Sequence, residues 1–341
     1  MKSRRGALRQ NRWRMPSKHL SRTSSAKGTE PAHDRAGTRG RAGLTDTSSR
    51  NAVGPGALTG ARAPRVYDRR SLTYSDTFES PFKRSMIKAI EWCTGKVEIV
   101  RRVRRFERQG IAYGQAFWPA TMKIMGIDIL TPREQLERIP AEGPVVFVAN
   151  HPHGLVDGMV LADLIGRRRN DYRILTRSLL TGLDESAASY MIPVPFPHEP
   201  DSQKRMIEMR AAAMDHLSKN GLIALFPSGV VAASKSLWGP AVEAEWNVFT
   251  AKMIRRSNAT VVPCFFPGSN SRAYQIANQI SATLRQGLLI HEIVHAFDKP
   301  QSPVIGHPIS AEECQERGAE PRKFIAWLRE QTLALKPGNE A

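Results

Sequence analysis

From about residue 126 onward the chain alternates short apolar runs, each closed by a polar or Pro/Gly turn, with stretches of helical period. That alternation leaves few architectures open. GPVVFVAN (143–150), DYRILTR (171–177) and YMIPVPF (190–196) are Val-, Ile- and Phe-rich runs of strand length. Residues 203–219 follow Asp201 and Ser202 as N-cap candidates, precede Gly221 as a stop, and place Met206, Met209, Ala213 and Leu217 at helical spacing. GLIALFPSG and NATVVPCFFPG are further bounded runs, separated by a predicted helix over 241–257. Strands and helices in turn predict an α/β domain, over 126–335, with a central, largely parallel sheet flanked by helices. In such sheets sites gather where strands end in loops.

Composition narrows the function classes. No stretch approaches the roughly 20 consecutive apolar residues of a spanning helix, so a chain that crosses the bilayer by helices is not expected. The three cysteines, Cys93, Cys264 and Cys314, are far apart without C-x-x-C spacing, which points away from a disulfide framework and towards a reducing, cytoplasmic compartment. A net charge of +18 suggests nucleic acid until it is divided along the chain. Residues 1–66 hold 15 Lys+Arg and 3 Asp+Glu, a balance of +12 that leaves +6 for the rest. This Arg-, Ser-, Gly- and Ala-rich tail has too few large apolar residues to offset its ordering entropy, so it is expected to be disordered. It would serve as a solvated tail, a transit peptide, a basic arm on lipid or RNA, or an upstream extension. No specific nucleic-acid partner is expected, because no binding motif accompanies the charge.

Residues 67–125 are predicted helical, with an amphipathic basic core. Between Phe82 and Phe106 eight basic residues interleave with Met86, Ile87, Ile90, Trp92, Val97, Ile99 and Val103, and Gly95 is expected to interrupt the helix. Such a segment either lies in a bilayer interface with its cations on anionic head groups or packs on the main domain with a solvated face.

Chemistry concentrates at two strand ends. Asn150-His151-Pro152-His153-Gly154-Leu155-Val156-Asp157-Gly158 puts two histidines and a carboxylate in one loop after a buried strand. An imidazole held by a carboxylate has its tautomer fixed and its other nitrogen free as a general base, able to take a proton from a hydroxyl or amine attacking an acyl thioester. The same composition is also ordinary turn chemistry. The second end is Phe226-Pro227-Ser228-Gly229, followed by Val262-Pro263-Cys264-Phe265-Phe266-Pro267-Gly268-Ser269-Asn270-Ser271.

The order NHPHGLVDG, LTRSLL, LFPSG, VVPCFFPGSNS resembles the glycerolipid, lysophosphatidic-acid-type acyltransferase family over about 125–310. It is most similar to the hemolysin-like branch that includes lyso-ornithine-lipid acyltransferases. The resemblance implies direct acyl transfer from acyl-CoA or acyl carrier protein as co-substrate to a lysolipid acceptor, without metal or other cofactor and without a covalent enzyme intermediate. It also implies an N-terminal helical pair at the membrane surface, hence peripheral attachment. It makes His151 the base and Asp157 its orienting partner, with Asn150, His153 and Gly154 beside them. His151 precedes Asp157 by one residue more than the family spacing, and the orthodox position is Pro152; His151 is preferred because it follows Asn150, and His153 is the alternative base.

The family's third block reads F-P-E-G-T-R, whose Glu and Arg help hold the acceptor's phosphate. Here it reads Phe226-Pro227-Ser228-Gly229-Val230-Val231, without either charge. Aliphatic side chains cannot replace a bidentate arginine. Arg177, Lys235 or Arg272 are the substitutes within the neighbouring loops, and an aminolipid acceptor is the other solution. Gly229, Pro263 and Gly268 complete the candidate substrate contacts, the glycines as points of close approach. The missing charges also leave room for a family member that binds lipid without turnover.

A competing motif is His291-Glu292-Ile293-Val294-His295, which on a helix presents two imidazoles for zinc and a glutamate as base. A working site needs a third ligand. Asp298 stands where the metzincin glycine belongs, and Glu312, Glu313, Glu316 and Glu320 read as an ordinary helix. A structural helix is expected, with a zinc hydrolase as the alternative. Trp238 and Trp246, which flank the 241–257 stretch, are expected mainly as packing residues, with an acyl-chain groove as the other reading.

Overall fold

The computed structural model describes residues 73–75, 80–110, 112–177, 185–196, 199 and 201–338. The basic tail 1–66 lies outside these residues. The described part opens on two basic helices, α1 (Pro81–Glu91) and α2 (Val97–Gln109), followed by α3 (Phe117–Met125) and the short α4 (Arg133–Leu136). The break between α1 and α2 falls at Gly95 (φ 168°, ψ −14°), as expected. A Cβ there would sit 2.9 Å from Val294 Cγ2, so only glycine lets this turn lie so close to a later helix.

The alternating region then runs β1 (Val145–Ala149), α5 (Leu155–Gly166), β2 (Tyr172–Arg177), α6 (Glu185–Ala188), β3 (Met191–Val194), α7 (Ser202–Ser218) and β4 (Leu222–Leu225). A hairpin of two-residue strands, β5 (Ala233–Ser234) and β6 (Ala241–Val242), precedes α8 (Val248–Ser257) and β7 (Thr260–Phe265). The remainder is α9 (Arg272–Ile280), α10 (Ala282–Gly287), α11 (Leu289–His295), β8 (Val304–Ile305), α12 (Ala311–Arg317) and α13 (Pro321–Ala334). The main sheet has the order β3-β2-β4-β1-β7-β8, and every pairing is parallel except that of β7 with β8. The predicted α/β architecture is therefore the observed one.

β1 explains why the sheet is covered on both faces. All its residues are buried, and successive side chains point to opposite sides. Val145, Phe147 and Ala149 join a core with Trp118 and Met122 of α3 and Val160, Leu161 and Leu164 of α5. Val146 and Val148 join another with Met209, Ala213 and Leu217 of α7, Ile254 of α8 and Leu328 of α13. At the amino ends of the strands the buried Arg169 donates to the Gly143 and Asn220 carbonyls at 2.9 and 2.7 Å and pairs with Asp171. That end is a tie between chain segments. The other end is where strands stop in open loops: Val148 is in register with Leu225 of β4 and Pro263 of β7, so the three strands finish together.

Two sequence expectations need correction. The helix predicted over 241–257 begins only at Val248, because Ala241–Val242 pairs in the hairpin and Asn247 caps α8, accepting from the Phe249 N–H. The segment 150–158 is not one loop either, since α5 starts at Leu155 and carries Asp157 in its first turn.

Candidate active site

Three loops meet at the carboxyl edge of the sheet: the one after β1, Phe226–Gly229 after β4, and the one that begins at Phe266 after β7. Asn150 fastens the first to the third. Its Nδ2 donates to the Phe266 carbonyl at 2.9 Å and its Oδ1 accepts the Phe266 N–H at 2.7 Å. With both ends of the amide engaged, Asn150 is a clamp between loops.

His151 comes next. Its Nδ1 donates to Asp157 Oδ2 at 3.0 Å, and its ring stacks on Phe226 with centroids 4.0 Å apart and planes inclined by 18°. This fixes the tautomer and leaves Nε2 without a hydrogen-bond partner among the described residues. The chain then turns at Gly154 (φ 75°, ψ −124°), a conformation that L side chains rarely adopt, and enters α5. The turn absorbs the extra residue and brings Asp157 back beneath His151.

Asp157 is fully buried and accepts four bonds: His151 Nδ1 at 3.0 Å, His153 Nδ1 at 3.0 Å, His153 N–H at 2.8 Å and Gly154 N–H at 3.1 Å. Burial pushes its pKa up, but the hydrogen bonds from the two imidazoles outweigh burial and hold the carboxyl below its ordinary 3.8. Its place in the first turn of α5 also suits a negative charge. His153 is the mirror case: burial disfavours its cation, and the hydrogen bond and charge of Asp157, with Glu292 further off, more than compensate and raise its pKa. Gly268 (φ 93°) closes over the far side of His153, where a Cβ would lie 2.9 Å from Nε2. So the two histidines share one carboxylate, and at His153 it is the missing side chain of Gly268 that leaves room for the outer nitrogen.

Of the third block, Phe226 supports the His151 ring, the Pro227 carbonyl accepts the Asn247 N–H at 3.0 Å, and Ser228 Oγ donates to the Val230 carbonyl at 2.9 Å. Gly229 takes a positive φ of 66° and its N–H donates to the Phe226 carbonyl at 2.9 Å. Arg177, at the end of β2, reaches this loop: Nη2 donates to the Gly229 carbonyl at 3.2 Å while the guanidinium lies 4.9 Å over Phe196. Arg272 instead donates to the Gly239 carbonyl at 2.8 Å. Pro263 stands inside β7, buried, its carbonyl accepting the Gly306 N–H at 2.8 Å, a strand position set back from the loops.

Sequence reasoning missed Glu243. This buried carboxylate accepts the His151 N–H at 3.1 Å and the Trp246 indole N–H at 3.0 Å. It stands 92 residues from His151, inside a segment read as helix, and no local pattern announces it.

The H-E-x-x-H segment forms α11 but assembles no metal site. His291 Nδ1 donates to the Thr94 carbonyl at 3.2 Å, His295 Nε2 accepts from Lys299 Nζ at 3.1 Å, and Glu292 accepts the Ser271 N–H at 2.7 Å and hydroxyl at 2.6 Å. Among the described residues no three His, Cys, Asp or Glu side chains converge on one point. Glu292 is thus occupied in capping α9, and among the described residues no third ligand stands beside the two histidines, an arrangement that suits a structural helix.

A family model described as "Acyltransferase" matches residues 81–339. The chain belongs to that acyltransferase family, which upholds the assignment its motifs implied. It is 32% identical over 186 residues to a lyso-glycine lipid O-acyltransferase of Phocaeicola vulgatus, a match covering 51% of this chain and 62% of that relative's length. A crystal structure of the 1-acyl-sn-glycerophosphate acyltransferase of Thermotoga maritima is similar with a TM-score of 0.39 at 13% identity, covering 75% of this chain and 85% of the other. No helix among the described residues is long and apolar enough to cross a membrane.

Proposed function

We propose that the protein moves a fatty acyl group from a thioester donor, acyl-CoA or acyl carrier protein, to the hydroxyl of a lysolipid at a membrane surface. The observation that carries this reading is the His151–Asp157 pair, with Nδ1 held at 3.0 Å and Nε2 unpartnered at the carboxyl edge of the sheet. His151 Nε2 takes the proton of the acceptor hydroxyl as its oxygen attacks the thioester carbonyl carbon. The tetrahedral intermediate collapses, the C–S bond breaks, and the imidazolium returns the proton to the departing thiolate. Acyl ends on oxygen, proton on sulfur, and the enzyme is unchanged. A positioned general base contributes about 10²–10⁴ in rate. His153 holds the other oxygen of Asp157 and so keeps the carboxylate oriented.

The acceptor we favour carries an amino-acid head in place of a phosphomonoester. Ser228, Val230 and Val231 offer no cation where the family's phosphate ligands stand, and Arg177 brings a single positive charge to Gly229. The acceptor for which the Phocaeicola vulgatus relative is named, a lyso-glycine lipid, is of that class. The basic helices α1 and α2, with Phe82 and Trp92 exposed, support contact with anionic lipid.

The test is transfer of a radiolabelled acyl group from acyl-CoA and from acyl carrier protein to a panel of lyso-amino-acid lipids and lysophosphatidic acid. Activity is expected to vanish in His151→Ala, survive in His291→Ala and favour the amino-acid lipids. If no lysolipid is acylated by wild type, the reading fails.

A further inference from the structure

The hairpin missed by the sequence grows directly out of the His151 main chain. At its base the Ala232 N–H donates to the His151 carbonyl at 2.8 Å, and just past its return strand Glu243 accepts the His151 N–H at 3.1 Å. Both halves of the histidine's peptide environment therefore belong to one hairpin. Its loop, 235–240, is held from one face of α9. Gln275 Oε1 accepts the Ser234 N–H at 2.7 Å, Gln279 donates to the Ser234 carbonyl, and Arg272 donates to the Gly239 and Trp238 carbonyls at 2.8 and 3.3 Å.

What this brace displays is apolar. Trp238 is 78% exposed and Leu237 47%, and Val230, next to Gly229, is 49% exposed on the same connection. The expected packing role holds for Trp246, which is buried, and not for Trp238. Residues 226–242 contain no Asp or Glu, whereas Lys235 and Arg272 are exposed beside the loop. A rigidly held tryptophan and leucine rimmed by cations match the boundary of an anionic bilayer, where an indole has an apolar body to bury and an N–H for the wet side. Trp238 lies six residue steps beyond Ala232, a reach of at most about 20 Å at roughly 3.3 Å per residue, so a seated tip keeps His151 close to the lipid surface.

We propose that the hairpin Ala232–Glu243 is a membrane-dipping element that inserts Leu237 and Trp238 into the face of an anionic bilayer and carries His151 to it. The choice of lipid as occupant rests on the lysolipid reading above, but its test does not use acyl transfer. Full-length protein is mixed with phosphatidylcholine/phosphatidylglycerol vesicles containing a bromine-labelled phosphatidylcholine, and tryptophan quenching is compared in wild type, Trp238→Phe and Trp92→Phe. A quenched component that disappears in Trp238→Phe is expected, together with vesicle partitioning at least about tenfold weaker in Leu237→Ser/Trp238→Ser. Equal quenching in wild type and Trp238→Phe overturns the proposal. So does loss confined to Trp92→Phe, which assigns the contact to the N-terminal helices, or a dimer that dissociates on Trp238 substitution while quenching is unaltered, which assigns the tip to a second copy. A protein inactive on every lysolipid can still pass this test, and an active one can fail it, so the two failures are separable.

Discussion

The chain contains two clusters of a pair of histidines and a carboxylate, and they behave differently. In the first, Asp157 sits between the rings and both imidazoles donate to it, at 3.0 Å each. In the second, Glu292 turns away from its histidines to cap Ser271, and the rings go to Thr94 and Lys299. Spacing along a helix offers side chains to one face; what they meet there decides their use. α11 lies against the turn at Gly95 and the start of α9, so its polar groups are taken by neighbouring segments. The first cluster stands where three parallel strands end, and there His151 Nε2 has no hydrogen-bond partner among the described residues.

The sharpest way to break this contrast is to remove the shared carboxylate. Asp157→Asn leaves one acceptor oxygen for two rings, sets an amide N–H2 donor against the other, and so frees His151 to take the wrong tautomer. Acyl transfer is expected to fall by about 10³–10⁴, as far as in His151→Ala, while Glu292→Gln stays within about tenfold. Initial rates at saturating donor check this. Loss of equal size in both carboxylate variants would erase the distinction between the clusters.

The second prediction concerns pH. His153 has a raised pKa, so its contribution to stability is complete below the ordinary imidazole value of 6.5 and is lost as pH rises through the folded value. Asp157 has a lowered pKa, so its contribution is present above the ordinary carboxyl value of 3.8 and is lost as pH falls through the folded one. The stability difference between wild type and His153→Gln, about 1.5–3 kcal/mol for a bond between charged groups, is therefore expected to be largest between these two values and to shrink above 6.5. Denaturant melts at pH 5.5 and 8.5 measure it. A difference that grows with pH would contradict the shared-carboxylate picture.

Glu292 gives a smaller effect of another kind. Glu292→Ala leaves the Ser271 N–H and the Ser271 hydroxyl proton without their acceptor at the start of α9, which should cost about 1–2 kcal/mol of stability. A melt at neutral pH reads it, and the KM for the thioester should move little. A catalytic collapse without loss of stability would move Glu292 into the reaction.

Much of this was legible in the sequence, for identifiable reasons. β1, β4 and nearly all of β7 are buried, and burial writes itself as bounded apolar runs such as VVFVA and LIAL. α7 showed its core face through Met209, Ala213 and Leu217. The His151–Asp157 partnership followed from resemblance, but the way the chain closes it did not. Gly154 begins α5 without a side-chain cap, so nothing marked Asp157 as helical. β5 and β6 have two residues each, too few for a period, and the stretch that follows took on helical character that only Val248 onward fulfils. Glu243 was invisible because its role is made by the fold bringing the hairpin to His151.

The smallest effect expected is none at all, and it bears on the second cluster directly. If α11 held a catalytic zinc, its two imidazoles would need free nitrogens on one face and a third ligand beside them. Their centroids are 6.1 Å apart, His291 Nδ1 is bound to the Thr94 carbonyl, and Glu292 is occupied with Ser271. Acyl transfer should be unchanged after prolonged treatment with 1,10-phenanthroline and gel filtration, and stoichiometric zinc should be absent from protein purified without chelator. Activity lost to the chelator and restored by zinc, together with loss in both His291→Ala and His295→Ala, would reverse the contrast and make α11 the reacting centre.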